Sequence, residues 1–381
     1  MTIQGLLEKY PRVFRVVDIL LPFLATLAAL AVGAVMLILL RANPIEAYSA
    51  LLEGAFGSQN ALADTLVKAT PLLLVGLGIC IAFRGGVINI GGEGQLVVGA
   101  VSATFVGLAI PDSRGWLVIP LALAAGFLAG AVWGGIPGLL KAYFNVNEIL
   151  STIMMNQIAV QGMNFLLRGP MIDPVQLEAA SRIPQTARLS QAYDLPRLVP
   201  TRLHLGTGLA VIAAILVFIF LWRTTIGYRI RAVGLNPDAS RYAGISVKRY
   251  IVLALLLSGA FAGLAGAIQV YGVNHRMFTD GSATGFTGGA GFNGIVAALF
   301  GQLHPLGTIP ASFLFGALLV GANKLQRVMQ VPSALITALN GLVVVFVVSS
   351  ELWRRRLARL RTLDTREEQI PSPGPEAEVT S

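Results

Sequence analysis

The chain has 381 residues, of which 55% are apolar and only 12% charged, with a mean hydropathy of +0.72. Soluble domains carry about 25% charged residues, so composition excludes an ordinary soluble enzyme or binding module and indicates a membrane protein. The net charge of +9 does not imply nucleic acid, because the basic residues flank apolar runs and no aromatic–basic platform accompanies them.

In chain order, a short basic segment, 1–16, precedes Ile19 to Leu40, 22 residues without a charge. At ~1.5 Å per residue this run crosses a ~30 Å hydrocarbon core, and it is too long for a signal peptide. The apolar pattern predicts an all-α, polytopic bundle of about ten membrane segments, some broken or re-entrant. They lie near 17–40, 66–83, 95–110, 116–139, 149–167, 205–222, 250–272, 288–300, 307–324 and 332–350. Segment 288–300 is short enough to be a half-helix. The region 17–350 reads as the membrane domain, with an extracytoplasmic loop at 168–204 and a cytoplasmic loop at 223–249. The tail, 351–381, reads as cytoplasmic and largely disordered from its Pro-, Glu- and Ser-rich end. Most of the 28 Lys and Arg fall inside if both termini are cytoplasmic.

The most informative stretch is 83–100. Between two apolar runs, the first interrupted only by Lys68, stand Arg84, Gly85, Gly86, Asn89, Gly91, Gly92, Glu93, Gly94 and Gln95. Lipid solvates neither a broken backbone nor a bare carboxylate, so such a break survives inside protein or beside water, as in the discontinuous helices of transporters. Asn89, Glu93 and Gln95 are therefore candidates to line or brace a translocation path, and Arg84 is a possible partner for Glu93.

Further along, Gly126, Gly130, Gly134 and Gly138 recur every four residues, and Gly259 and Gly263 repeat that spacing, a pattern for close helix contact. On the fifth segment, Asn156, Gln161 and Asn164 share one broad face, with Gln157 beside it. These amides either bond neighbouring helices or line an aqueous route. Asn293 and Asn340 join Asn156 as path candidates.

In the loop 223–249, Asn236-Pro237-Asp238 starts a helix: a cap, a proline at the first position and an acid in the first turn, ended by Gly244. A short capped helix there suits docking of a cytoplasmic partner through Asn236, Asp238, Arg241, Tyr242 and Gly244. A second cap, Asn147-Glu148, opens the fifth segment.

Cys80 is the lone cysteine, and His204, His275 and His304 are dispersed, so neither a disulfide nor a metal site is expected. Gly289 to Gly294 matches G-x-G-x-x-G but has no strand before it, and no G-x-x-x-x-G-K-[ST] occurs. No cofactor is expected, and ATP hydrolysis by this chain is not.

Asp238 to Gly244 resembles a degenerate form of the cytoplasmic "EAA" loop of bacterial ABC-importer permeases, with Asp and Ser in place of Glu and the second Ala. Asn89-Ile90-Gly91-Gly92-Glu93-Gly94-Gln95 is similar to the Asn-x-Gly-x-Glu-Gly-Gln signature of the nucleoside-type, simple-sugar-like permeases. These belong to the branched-chain amino acid, ribose and nucleoside group. Asn147 to Asn156, Arg231 to Pro237 and Gly291 to Leu299 resemble the same subgroup. The resemblance implies an inner-membrane permease subunit that forms the path for a nucleoside or related polar solute. It also implies separate cytoplasmic ATPase subunits, a second and related permease chain, and an extracytoplasmic substrate-binding protein that meets the loop 168–204, unless that loop is a lid. A permease for a simple sugar or branched-chain amino acid remains open, as does an ion-coupled secondary transporter with Glu93 as its ion or proton site. An intramembrane enzyme would need a paired nucleophile and base, which is not legible.

Overall fold

The computed structural model describes residues 27–39, 41–110, 115–179 and 182–330, with single positions at 24 and between 338 and 349. The chain divides into two units, Ala42–Ser333 and the two chain ends together, Met1–Arg41 with Ala334–Ser381. In the second of these the described helix is α1, Leu27–Leu39.

The larger unit is built from α2 (Pro44–Phe56), α3 (Gln59–Arg84), α4 (Gly92–Ala109), α5 (Gly115–Phe144), α6 (Glu148–Arg168) and α7 (Pro174–Glu178). It continues with α8 (Leu205–Arg223), α9 (Thr225–Leu235), α10 (Pro237–Tyr242), α11 (Val247–Gln269), α12 (Ala283–Thr287), α13 (Ala290–Phe300) and α14 (Pro305–Met329). Among the described residues there is no strand, only two isolated bridges, Gln185–Phe278 and Arg197–His204. The all-α expectation holds.

The expectation of about ten segments is not confirmed among the described residues. Six described helices are long and apolar enough to cross a membrane: α3, α4, α5, α8, α11 and α14. The amides of α6 dilute its apolar character, α13 has only 11 residues, and most of 332–350 lies outside the described residues, Asn340 included.

Helix α3 forms the middle of the larger unit, packed by α8, α11, α13 and α14. The ridge Gly126, Gly130, Gly134 and Gly138 on α5 lies against α11, where a Cβ on Gly134 would sit 2.5 Å from the Leu255 carbonyl oxygen and one on Gly138 3.2 Å from Val252 Cα. Gly259 and Gly263 answer from α11, and Gly99 of α4 abuts Gly263. Without side chains at these positions, three helices approach to backbone contact, which is how helices gain dispersion energy where lipid offers no hydrophobic drive.

Helix α11 ends in a π-turn, Val270–Asn274, and His275 at φ 54° reverses the chain. The loop 182–204 lies along this turn through Leu195 N–H to Tyr271 O, Leu189 N–H to His275 O and Thr186 N–H to Met277 O, each 2.9 Å. Tyr193 is buried and donates to Ile110 O at 2.6 Å. The segment is thus folded onto the bundle.

Candidate functional site

Helix α3 stops at Arg84, followed by a loop to Gly91 and the start of α4 at Gly92. Arg84 is not the partner of Glu93. Its Nε donates to Leu303 O at 3.1 Å and its guanidinium lies over the Trp222 ring, 5.5 Å from the centroid.

The break is closed by side-chain amides. Asn89 donates through Nδ2 to Ser258 Oγ at 2.8 Å and to Gln95 Oε1 at 3.0 Å, and its Oδ1 accepts from Gly91 N–H at 2.8 Å and Gln95 Nε2 at 3.2 Å. Asn156 accepts from Gly94 N–H at 2.8 Å and donates to Ile90 O at 3.0 Å. Asn89, Gln95 and Asn156 are all buried. A helix start has four amides without intrahelical partners, and in lipid those must be bonded from within the protein. Of the α6 face amides, Asn156 does this work here, while Asn164, farther along, ties the loop before α12 by donating to Gly281 O at 3.2 Å and accepting from Thr279 at 2.6 Å. Gln157 and Gln161 are exposed.

Glu93 is 1% exposed, and neither carboxylate oxygen has a hydrogen bond of good geometry among the described residues. Thr287 and the backbone amides of Gly291 and Phe292 face it. Glu93 lies in the first turn of α4, and those amides belong to the first turn of α13. The two N-termini meet so closely that a Cβ on Gly291 would fall 2.7 Å from Glu93 Cα. A carboxylate between two helix N-termini is stabilised by both dipoles, by up to ~2 kcal/mol each in buried geometry, which offsets part of its desolvation cost.

Just before α13, Gly288 and Gly289 have φ of 63° and 76°. Asn293 Nδ2 lies 3.4 Å and Glu93 Oε1 4.0 Å from where a Gly289 Cβ would be, and Lys68 Nζ lies 3.9 Å from the Gly288 position. Asn293 and Glu93 are thus brought together by this turn, whereas Asn89, Gln95 and Asn156 form the separate network behind it. Sequence reasoning passed over Lys68, Thr287 and Ser258. A lysine interrupting the apolar run 66–83 was the available signal for Lys68.

On the basic loop, α9 carries Gly234 against Gly86, and α10 has the predicted cap: Asn236 Oδ1 accepts from Asp238 N–H and Ala239 N–H, both 3.0 Å, with Pro237 at the first position. Gly244, at φ 77°, ends it. Asp238 and Arg241 form an exposed pair at 3.5 Å, and Tyr242 is 95% exposed.

Residues 61–348 match the family described as branched-chain amino acid transport system, permease component. The chain belongs to this family. The guanosine ABC transporter permease protein NupP of Bacillus subtilis is 37% identical over 347 residues, covering 91% of this chain and 98% of NupP. The glucose ABC transporter permease protein TsgB13 of Haloferax volcanii is 35% identical over 345 residues, 88% of each chain. The nucleoside ABC transporter permease protein NupB of Lactococcus lactis is 32% identical over 338 residues, 86% of this chain and 90% of NupB. A second guanosine permease protein of the same Bacillus and a second nucleoside permease protein of the same Lactococcus also match, at 28% and 29% identity. No solved structure matches. The protein is therefore a multi-pass membrane permease subunit of an ABC importer; in this family ATP is hydrolysed on a separate subunit, and an ATPase and a substrate-binding partner are implied.

Proposed function

We propose that this permease forms the path for a nucleoside. The observation that carries the reading is the 37% identity to a guanosine permease protein across nearly the whole length of both chains. The site chemistry agrees with it. A nucleoside is neutral and rich in donors and acceptors, and amides with a carboxylate can hold it weakly enough to release it. Glu93 and Asn293 face the solute at the α13 turn, while Asn89, Gln95 and Asn156 brace the break that positions them.

The glucose permease protein of Haloferax supports a second reading, a simple sugar, which needs the same hydroxyl-binding groups. The second, less similar permease proteins in Bacillus and Lactococcus support a pathway built from two different but related chains. The capped helix α10, exposed beside a basic loop, is the element that docks the ATPase, through Asn236, Asp238, Arg241, Tyr242 and Gly244. The extracytoplasmic binding protein meets the loop 168–204. Residues 17–350 form the permease domain of a bacterial inner-membrane protein, with 1–16 and 351–381 in the cytoplasm.

Uptake of labelled guanosine and of glucose by cells with and without the gene tests the solute. Guanosine uptake that is lost on deletion, abolished by ATP depletion and indifferent to collapse of the proton gradient is the expected result. Uptake that survives ATP depletion but dies with the gradient would return the secondary-transporter reading. Tags after Ser381 and near Gln185 should report opposite sides of the membrane.

A further inference from the structure

Lys68 is the one lysine within the apolar part of α3. It is exposed and has no ion pair among the described residues. An ammonium on a spanning helix is costly unless water, protein or a passing solute meets it. Its Nζ lies over the Gly288–Gly289 turn, 3.9 Å from where a Cβ of Gly288 would be. On the other glycine of that turn, the position of a Cβ is lined by Asn293 Nδ2 at 3.4 Å and Glu93 Oε1 at 4.0 Å. Three polar groups from three helices thus converge on two adjacent residues that have no side chains. Any L side chain there would be strained by the positive φ and would fill the space.

Lys68 disfavours a cation and the buried Glu93 carboxyl an anion, so the two groups together suit a neutral solute. Within that solute they ask for a fixed polarity, an acceptor for Lys68 and the Asn293 amide, and a donor for Glu93. Glu93 is 1% exposed, and although Thr287 and the Gly291 and Phe292 amides face it, neither oxygen has a hydrogen bond of good geometry among the described residues, so it retains accepting capacity for a solute. Gly288 is exposed and Gly289, whose Cβ position lies 4.0 Å from Glu93 Oε1, is half-buried, and glycine is the residue whose backbone yields most readily.

We propose that Lys68, the Gly288–Gly289 turn, Asn293 and Glu93 form a polar station for a neutral solute carrying a hydrogen-bond donor beside an acceptor, as in the N–H and C=O edge of a cyclic-amide base. Lys68 and Gly288 are its outer members and Glu93 its inner one. The station rests on the reading of the chain as a nucleoside or sugar permease and names the part of the solute it recognises.

The test uses membrane vesicles holding the complete importer with Phe292→Cys as reporter. Phe292 is 48% exposed next to the turn, and Cys80 is fully buried, so within this chain, followed on its own band, the reporter is the cysteine that reacts. Its rate of maleimide labelling is measured with guanosine, adenosine or glucose. Guanosine should slow labelling at least about tenfold, and Lys68→Met or Glu93→Gln should each raise the guanosine concentration needed for protection about tenfold or more, the loss of one charge-assisted hydrogen bond. Lys68→Arg should retain protection. Protection by glucose in place of guanosine, with the same dependence on Lys68 and Glu93, supports the station with a sugar's hydroxyls as the donor and acceptor. Protection by adenosine equal to that by guanosine overturns the amide edge, since adenosine reverses that polarity. Should Glu93→Gln fail to assemble, Lys68→Met decides alone, because an exposed side chain can be shortened without a cavity: an unchanged concentration for protection overturns the station. Wild-type vesicles that take up guanosine while protection ignores Lys68 and Glu93 overturn the station only. Vesicles that take up neither guanosine nor glucose overturn the functional reading and the station together.

Discussion

Gly86, just past the end of α3, and Gly234, near the end of α9, touch backbone to backbone: a Cβ on Gly86 would sit 2.9 Å from Gly234 Cα, and one on Gly234 would sit 2.7 Å from Gly86 N. Helix α9 leads directly into α10 through Asn236, and Gly86 leads directly into the Asn89 network. No side chain stands between α9 and the break at this contact.

Gly234→Ala should wedge this contact open. Overpacking of this kind costs about 1–3 kcal/mol. Transport should fall at least about tenfold while the permease still assembles with its ATPase. The measurement is uptake alongside co-purification. Wild-type uptake in Gly234→Ala would mean the contact transmits nothing.

Asn236→Ala removes the cap of α10 at a cost of about 1 kcal/mol, and Gly244→Pro destroys its end. Gly244→Pro and Asp238→Lys should each abolish transport and substrate-stimulated ATPase activity with normal membrane insertion. The docking role would be lost if both variants transported normally.

Asn89→Ala and Gln95→Ala leave buried partners without bonds, a penalty of about 1–3 kcal/mol each. Because Asn89 and Gln95 bond each other twice, the double variant should cost clearly less than the sum of the singles. Thermal stability of the purified permease reads this. Full additivity would show the two side chains to be independent.

In the segment folded onto the π-turn, His204 is buried against Gly272 and its pKa is pushed down to about 4, first by burial and then by His275. His275 itself is lowered by burial and, to a lesser extent, by Arg188 and Arg197; Asp194, whose Oδ1 lies 2.6 Å from its Nδ1, opposes this. A histidine kept neutral by folding contributes stability above its unfolded value near 6.5 that is lost as pH falls toward 4. The full swing at His204 is about 3 kcal/mol. Protease cleavage within 182–204 should accelerate between pH 6.5 and 4, and His204→Gln should flatten that dependence. An equally steep profile in His204→Gln would assign the effect elsewhere.

The broken helix at 84–92, the caps at Asn147 and Asn236 and the glycine ridge on α5 were readable because each is a local pattern with one cheap solution. The division of labour among the polar residues was not. Asn89, Glu93 and Gln95 stand within seven positions, yet two close a backbone break and the third points to another helix. Only the arrival of α13 and α11 beside them decides this. Ser258 and Thr287 are single hydroxyls in apolar segments, and nothing local distinguishes them. The loop 168–204 read as a surface; its bonds to the π-turn depend on contacts about 80 residues away in sequence.

Helix α3 is among the most apolar of the spans, yet 83% of its apolar window is buried inside the protein. Its leucines and isoleucines therefore have little to do with lipid in the finished molecule. Their hydrophobicity is read at biosynthesis, when the segment must partition from the translocation machinery into the bilayer before α8, α11 and α14 exist to enclose it. Later-made helices then displace lipid from around α3 one side at a time. A polar substitution on α3 could thus be silent in the mature fold, given a bonding partner, and still prevent the chain from ever being made correctly.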